Sequence, residues 1–254
     1  MKRIKIIFEI EKANPEQKII TDRLGVYLQG VLMRLIDERN AELLHLSTVK
    51  PYSQFVQFNK ENQQYHWYIH YLDTMAEETF SAVLLSDDFS EFFIESLENV
   101  HCRILTKDIE ILEVRQLTQE FYSGEAPKRI ELQFLTPTTF KQDGQYVLFP
   151  DIRLIIQSMM VKYSAIVEKE GYPDEKFLED IVRTTQIRHY QLRSQSVFVH
   201  RYPIIGFKGR ITLELHGNET MRRYVYMLVK YATYSGIGIK SAMGMGAVAI
   251  NRIQ

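Results

Sequence analysis

Cysteine is almost missing from this chain of 254 residues, which carries only Cys102. That excludes an internal disulfide and any cysteine-rich zinc site. No apolar run approaches a membrane span and no signal peptide opens the sequence, so the cytoplasm is the expected compartment and no membrane partner is expected. A more local absence is more telling. Between Ile181 and Leu213 there is no acidic residue, while Arg183, Arg188, Arg193, Arg201, Lys208 and Arg210 all fall there.

The net charge of −1 conceals this asymmetry. Residues 1–125 carry 13 Lys and Arg against 21 Asp and Glu, a balance of −8, whereas residues 126–254 carry 18 against 11, a balance of +7. Such a division points to a polyanion bound mainly by the second half. A solvated basic face docked on the acidic half is the competing explanation. Hydrophobic residues at 45% and charged ones at 25% give an ordinary globular profile, with length enough for one large domain or two of usual size.

Hydrophobic spacing divides the first half into strands and helices. Ile4, Ile6, Phe8 and Ile10 alternate as a half-buried strand that Asn14-Pro15 ends. Leu24, Leu28, Val31, Leu32, Leu35 and Ile36 then recur at helical spacing over Ile20–Arg39, with Gly25 and Gly30 admitting close packing on the strands. Strands are expected at Phe55–Phe58 and Tyr65–Tyr71, a helical segment within Glu77–Leu97, and a strand at Ile109–Leu117. The order β-α-β-β-α-β is that of a ferredoxin-like domain. Ser123-Gly124-Glu125-Ala126-Pro127 marks the boundary, giving domains of 1–124 and 125–254.

The pattern then restarts. A strand over Arg129–Leu135 stops at Thr136-Pro137, and Asp143-Gly144 turns into Gln145–Phe149. Pro150-Asp151 opens a helix reaching about Lys169. A helix at Glu175–Thr184, strands at Gln191–Val199 and Arg210–Leu215, and a helix at Arg222–Thr233 follow. This is a second ferredoxin-like unit with an insertion. The fold class is therefore α+β, two tandem ferredoxin-like domains ending in a glycine-rich loop.

That loop, Gly236-Ile237-Gly238-Ile239-Lys240-Ser241-Ala242-Met243-Gly244-Met245-Gly246, sets four glycines and a lysine between a helix and the closing strand Ala247–Ile250. Glycine tolerates positive φ and has no Cβ, so backbone N–H groups there are open to an anion such as phosphate. The Gly-Lys-Ser/Thr ending of a nucleotide-binding loop is missing, and the loop follows a helix where a dinucleotide fingerprint follows a strand. A bland glycine-rich turn is the competing reading.

Tyr234–Ser241 followed by Met243-Gly244-Met245-Gly246 resembles the C-terminal glycine-rich motif of the CRISPR-associated endoribonucleases that cut precursor CRISPR RNA, members of the RAMP superfamily. Ile130–Phe140 is similar to that family's strand-Thr-Pro-x-x-Phe segment. Tyr146-Val147-Leu148-Phe149-Pro150-Asp151, with Ser158 and Lys162 beyond, has its cadence too. The similarity is clearest over residues 130–163 and 203–250. In the first half it rests on Gly30-Val31-Leu32-Met33 and Leu44-His45.

The resemblance implies cleavage of repeat RNA without metal or cofactor. The ribose 2′-hydroxyl attacks the adjacent phosphate and leaves 2′,3′-cyclic phosphate and 5′-hydroxyl ends. Histidine suits the proton transfers and lysine or arginine the phosphorane charge. His45 stands where the family often places its catalytic histidine; Lys50 joins it as a candidate for phosphate charge, and Tyr27 for substrate orientation or proton donation. A helix-terminal histidine, a surface lysine and a core tyrosine are the structural alternatives.

For RNA binding the candidates are Gly236, Gly238, Lys240, Ser241, Gly244 and Gly246 in the loop, with Arg153, Arg188, Arg193, Arg201, Lys208 and Arg210 outside it. Tyr190 and Tyr202 are candidates for base stacking. His66 and His70 read as a half-exposed sheet face, about 13 Å apart along a strand and too far for one ion. The partner implied is CRISPR repeat RNA; an effector complex and a homodimer stay open. A RAMP scaffold that binds without cutting, and a tandem ferredoxin-like regulator of a small ligand, remain the alternatives.

Overall fold

The computed structural model describes residues 1–11, 21–97, 100–170, 172–199 and 202–254. The break expected at Asn14-Pro15 and the candidate Arg201 lie outside them. The chain divides into two compact units, one of residues 1–111 with 242–244, the other of residues 112–241 with 245–254.

The first unit runs β1 (Lys2–Glu11), α1 (Thr21–Arg34), α2 (Glu38–Leu46), β2 (Tyr52–Asn59), β3 (Gln64–Tyr71), α3 (Thr74–Leu84), β4 (Glu91–Ile94) and β5 (Val100–Ile111). Its strands form an antiparallel sheet ordered β2-β3-β1-β5-β4. Alternation in β1 sends Ile4, Ile6 and Phe8 inward, where they join Trp67 and Ile69 of β3, Leu24, Leu28 and Leu32 of α1, and Phe80 and Leu84 of α3.

Two expectations for this half are corrected. The single helix over Ile20–Arg39 is two helices, because Asp37 caps a new one by accepting from the Asn40 amide at 2.8 Å. The strand expected over Ile109–Leu117 ends at Ile111, and Val114–Ser123 is a helix, α4. Gln116 Oε1 accepts from the Glu113 amide at 2.9 Å and ties down the helix start, while Leu117 turns into a core.

Helix α4 packs on the last helix of the second unit. Phe121 meets Tyr224, and Arg223 reaches the Gly124 and Tyr122 carbonyls. The break between units therefore falls after Ile111 and not after Gly124. The second unit continues with β6 (Arg129–Thr138), β7 (Phe140–Gln142), β8 (Gln145–Val147), α5 (Ile152–Tyr163), α6 (Glu175–Arg183), β9 (Thr185–Val199), β10 (Tyr202–Leu215), α7 (Glu219–Ser235) and β11 (Val248–Ile253).

Its main sheet is antiparallel, ordered β11-β6-β10-β9, and β7 with β8 forms a separate hairpin. Asp143 and Gly144 both take positive φ in that hairpin's turn, as a two-residue loop of matching twist requires. Helix α5 stops at Tyr163, and the expected continuation toward Lys169 is a π-helical turn over Ser164–Glu168. Strands β9 and β10 are longer than their hydrophobic pattern suggests, pairing from Thr185–Leu215 to Val199–Tyr202.

The first core predicts its own sensitivity. Phe80 is fully buried against Tyr52 and Tyr71, so Phe80→Ala should lower stability by about 3–5 kcal/mol, read as an earlier urea midpoint. Tyr172→Ala, at an exposed position, should shift stability by less than about 0.5 kcal/mol.

Candidate functional site

His45 occupies the last turn of α2. Leu44 is the one buried residue of that helix; the next position, about 100° around the axis, faces solvent, and His45 is exposed between the exposed Leu43 and Leu46. The helix end leaves carbonyls without intrahelical partners. Lys50 meets them: its ammonium donates to the carbonyls of Leu44 (2.8 Å), His45 (2.8 Å) and Ser47 (2.7 Å). Ser47 adds bonds from its amide and hydroxyl to the Leu43 carbonyl, at 3.2 and 2.9 Å.

The cation favours this negative end of the helix. Partial burial pulls the Lys50 pKa down. Lys50 and His45 are thus joined through the main chain, and the three described bonds of the ammonium go to carbonyls. Tyr27, on α1, is half-buried and packs on the core of the first unit.

Of the other histidine pair, His66 is half-exposed as expected but His70 is not. His70 is buried. The Arg3 guanidinium has only donors and gives one to His70 Nε2 at 3.0 Å, so the ring proton sits on Nδ1, 2.9 Å from Ser53 Oγ. Burial, then the Arg3 charge, holds the His70 pKa well below its usual value. With its lone pair occupied, this imidazole is no base for the Ser53 hydroxyl. Among the described residues no three His, Cys, Asp or Glu side chains gather as a metal site, and no helix is long and apolar enough to cross a membrane.

The glycine-rich loop is built by the segments that the sequence presents as separate motifs. The Pro137 carbonyl accepts from the Gly246 amide (3.0 Å), the Thr139 carbonyl from Ile239 (3.1 Å), and Thr136 Oγ1 from Ala247 (2.9 Å). The Gly246 carbonyl accepts from Ile237 at 2.8 Å, and Ser158 Oγ on α5 from Gly238 at 2.8 Å. Most of the loop amides expected to await phosphate are therefore bonded within the fold. A Cβ on Gly246, at φ +73°, would stand 2.0 Å from the Ile237 carbonyl oxygen. No other residue fits there.

One helical turn after Ser158, Lys162 holds the other side of the loop. Its ammonium donates to the Ser235 (3.1 Å) and Gly236 (3.0 Å) carbonyls at the end of α7, with Ser241 Oγ at 3.5 Å. Lys240 itself takes a left-handed conformation (φ +58°). Within the first unit, the tip of the loop lies against α1: Gly25 and Gly244 approach so closely that a Cβ on either would come within 2.9 Å of the other's Cα. Gly25 therefore serves the loop, not the strands as its sequence context suggests.

The basic residues separate on inspection. Arg153 is engaged by Glu175 and Glu179 of α6. Arg210 donates to Gln191 at 2.6 Å and lies 3.9 Å from Glu131, and Arg188 lies 3.9 Å from Glu214. Arg193 is exposed and sits directly across the β9–β10 ladder from Lys208, a pairing of like charges that alone disfavours the sheet. Glu214 is itself tied to Arg129, whose hydrogen bonds lower its pKa.

Comparison with known proteins bears on the family and the fold. The family profile described as CRISPR-associated endoribonuclease Cas6 matches residues 132–248. The Cas6 endoribonuclease of Streptococcus thermophilus is 33% identical over 233 residues, 89% of this chain and 91% of its own. That of Mycobacterium tuberculosis is 29% identical over 250 residues, 98% of this chain and 78% of its own. Among solved structures, a Cas6 product complex is similar at TM-score 0.76 and 18% identity, covering 99% of this chain and 100% of that one. Thermus thermophilus Cas6 matches at 0.69 and 19%, covering 98% and 97%.

The α+β fold with two antiparallel sheets is that of the solved Cas6 structures, and the class is that of RNA-cleaving enzymes. This chain belongs to the Cas6 family of CRISPR-associated endoribonucleases.

Lys162 carries a pH signature. Burial lowers its pKa from 10.5 to about 7, so the folded state disfavours its charge. Below about pH 7 the lysine is protonated folded or unfolded and the burial penalty is at full strength. Between about 7 and 10.5 the unfolded chain binds the extra proton, so this group makes stability rise with pH. The stability difference between the unmodified protein and Lys162→Met should therefore change across that window in denaturant titrations at several pH values. A difference that stays flat contradicts it.

Proposed function

We propose that the chain cuts precursor CRISPR RNA within its repeats, in the cytoplasm and without a metal ion. The ribose 2′-oxygen forms a bond to the adjacent phosphorus as the bond to the 5′-oxygen breaks. The 2′-hydroxyl proton goes to a base, and the leaving 5′-oxygen takes a proton. His45 is the proton-transfer group. The observation that carries this reading is its exposed imidazole on a helix end that Lys50 fastens through the His45 carbonyl itself. An imidazole both accepts and donates a proton, so a histidine serves either transfer.

Lys50 supplies positive charge beside the histidine and fixes the turn that carries it. Tyr27 orients substrate from α1. The sheet orders β2-β3-β1-β5 and β11-β6-β10-β9 support reading both units as ferredoxin-like, the first extended by the short edge strand β4. In the second, Lys240 with its Ser241 neighbour meets the RNA backbone, and Arg193 and Lys208 extend the contact along the β9–β10 hairpin. Arg188 and Arg210 lie beside them with carboxylates near, and Arg153 contributes least because α6 engages it. The glycines 236, 238, 244 and 246 act by letting the loop close. Solved neighbours described as a Cas6 product complex and a Cas6 substrate mimic complex support a direct RNA partner.

His45→Ala should slow cleavage by about 10²- to 10⁴-fold, the usual share of general acid–base catalysis, while RNA affinity stays within a few-fold. A substrate with 2′-deoxyribose at the cut site should bind and resist cleavage. Full-speed cutting by His45→Ala, mapped by product ends, moves the proton transfer elsewhere.

Lys240→Ala should weaken RNA binding and reduce the slope of log affinity against log salt by about one. Lys60→Ala, in the acidic half, is the control. An unchanged slope for Lys240→Ala removes that lysine from the RNA surface.

A further inference from the structure

Gln54 lies on the edge strand β2, yet it is only 1% exposed. A buried amide is costly unless its groups are paired. Here they are: Nε2 donates to the Gly25 carbonyl at 2.5 Å and to the Ala242 carbonyl at 3.0 Å, while Oε1 accepts from Trp67 Nε1 at 3.0 Å. Carbonyls only accept and an indole N–H only donates, so the amide has one orientation that satisfies all three partners.

The partners come from three places. Gly25 is in α1, Trp67 is fully buried in β3, and Ala242 is in the tip of the glycine-rich loop. Gly25 also touches Gly244 backbone to backbone, so the two carbonyls held by Gln54 flank a contact that no side chain cushions. Lys240 stands two residues before Ala242, and Tyr27 two residues after Gly25.

We infer that Gln54 is a positioning residue for RNA cleavage: its amide pins the loop tip to α1, so that RNA meeting the tip is held in register with the groups on the α1–α2 segment. The inference rests on the reading that the glycine-rich loop meets RNA and that His45 moves protons. Gln54 touches neither substrate nor reacting atoms. Its donors are what matter, because they bind the two carbonyls whose relative position would otherwise depend on packing alone.

Two substitutions separate its donors from its shape. Gln54→Met fills the space without any donor. Gln54→Glu keeps the acceptor for Trp67, but when ionised it presents only oxygens to the two carbonyls; when protonated it regains one O–H donor. Burial raises a carboxyl pKa, so that recovery should fall within an accessible range. With the repeat RNA that the unmodified protein cuts, single-turnover rates at saturating RNA should fall about 10- to 100-fold for Gln54→Met at every pH, as for a displaced reacting geometry. For Gln54→Glu the deficit relative to the unmodified protein should narrow as pH falls.

Folding is checked by circular dichroism and melting of each variant. Unmodified rates in both folded variants overturn the inference. So does an equal, pH-independent deficit in both, or failure of both to fold, since each would make Gln54 merely structural. His45→Ala is run alongside: if it also cuts at full speed, the functional reading has failed and not this one.

Discussion

The contact on which the loop depends is the approach of Gly246 to the Ile237 carbonyl. The Ile237 amide donates to the Gly246 carbonyl at 2.8 Å while the missing Cβ of Gly246 leaves the Ile237 oxygen room. With that closure made, the Thr136–Thr139 segment receives the loop amides on one side and α5 offers Ser158 and Lys162 on the other. The glycines are spaced as they are because backbone meets backbone at several points, and van der Waals contact leaves no volume for side chains. An anion-binding role for the loop would then fall on Lys240, not on glycine amides in general.

Two lysines perform related tasks at helix ends. Lys50 closes α2 and Lys162 closes α7, each donating to main-chain oxygens where the helix presents its negative end. Both are shifted downward in pKa by burial, Lys162 much further. Lys162 has no carboxylate among its described hydrogen-bond partners, which are the Ser235 and Gly236 carbonyls and the Ser241 hydroxyl. His45 gains from the arrangement on α2: it is held on a fixed turn without being drawn into the core. Its exposure contrasts with His70, which the same sheet-rich unit buries and locks into one tautomer through Arg3.

The basic second half is less uniformly available than its composition suggests. The stretch free of acids is real in sequence, but antiparallel pairing brings Glu131 and Glu214 of neighbouring strands beside Arg210 and Arg188. Arg153 meets the acids of an inserted helix. Local charge along a strand is a property of the chain, whereas the field over a sheet depends on which strands lie adjacent. Arg193 and Lys208 keep like charge opposite like charge because their register puts them directly across from each other.

Alternation and helical spacing in the sequence were enough to place β1, β2, β3, β6, α1, α5, α6 and α7 and to give the α+β class, since burial of one face leaves its period in the residues. The loop motif and its Thr-Pro partner segment were also legible as family resemblance, and both fall within the stretch the Cas6 profile matches. The end of β5 was not legible, because Ile109, Ile111 and Leu117 alternate like a strand while Gln116 ties down a helix that starts at Val114. Nor was the split after Arg34, where the Asp37 cap overrides a continuous apolar stripe. Tertiary structure alone decided that Gly25 meets Gly244, that Gln54 joins Trp67 to the loop tip, and that His70 is buried. These are contacts between residues far apart in the chain, and a sequence period records which face is buried but not what lies against it.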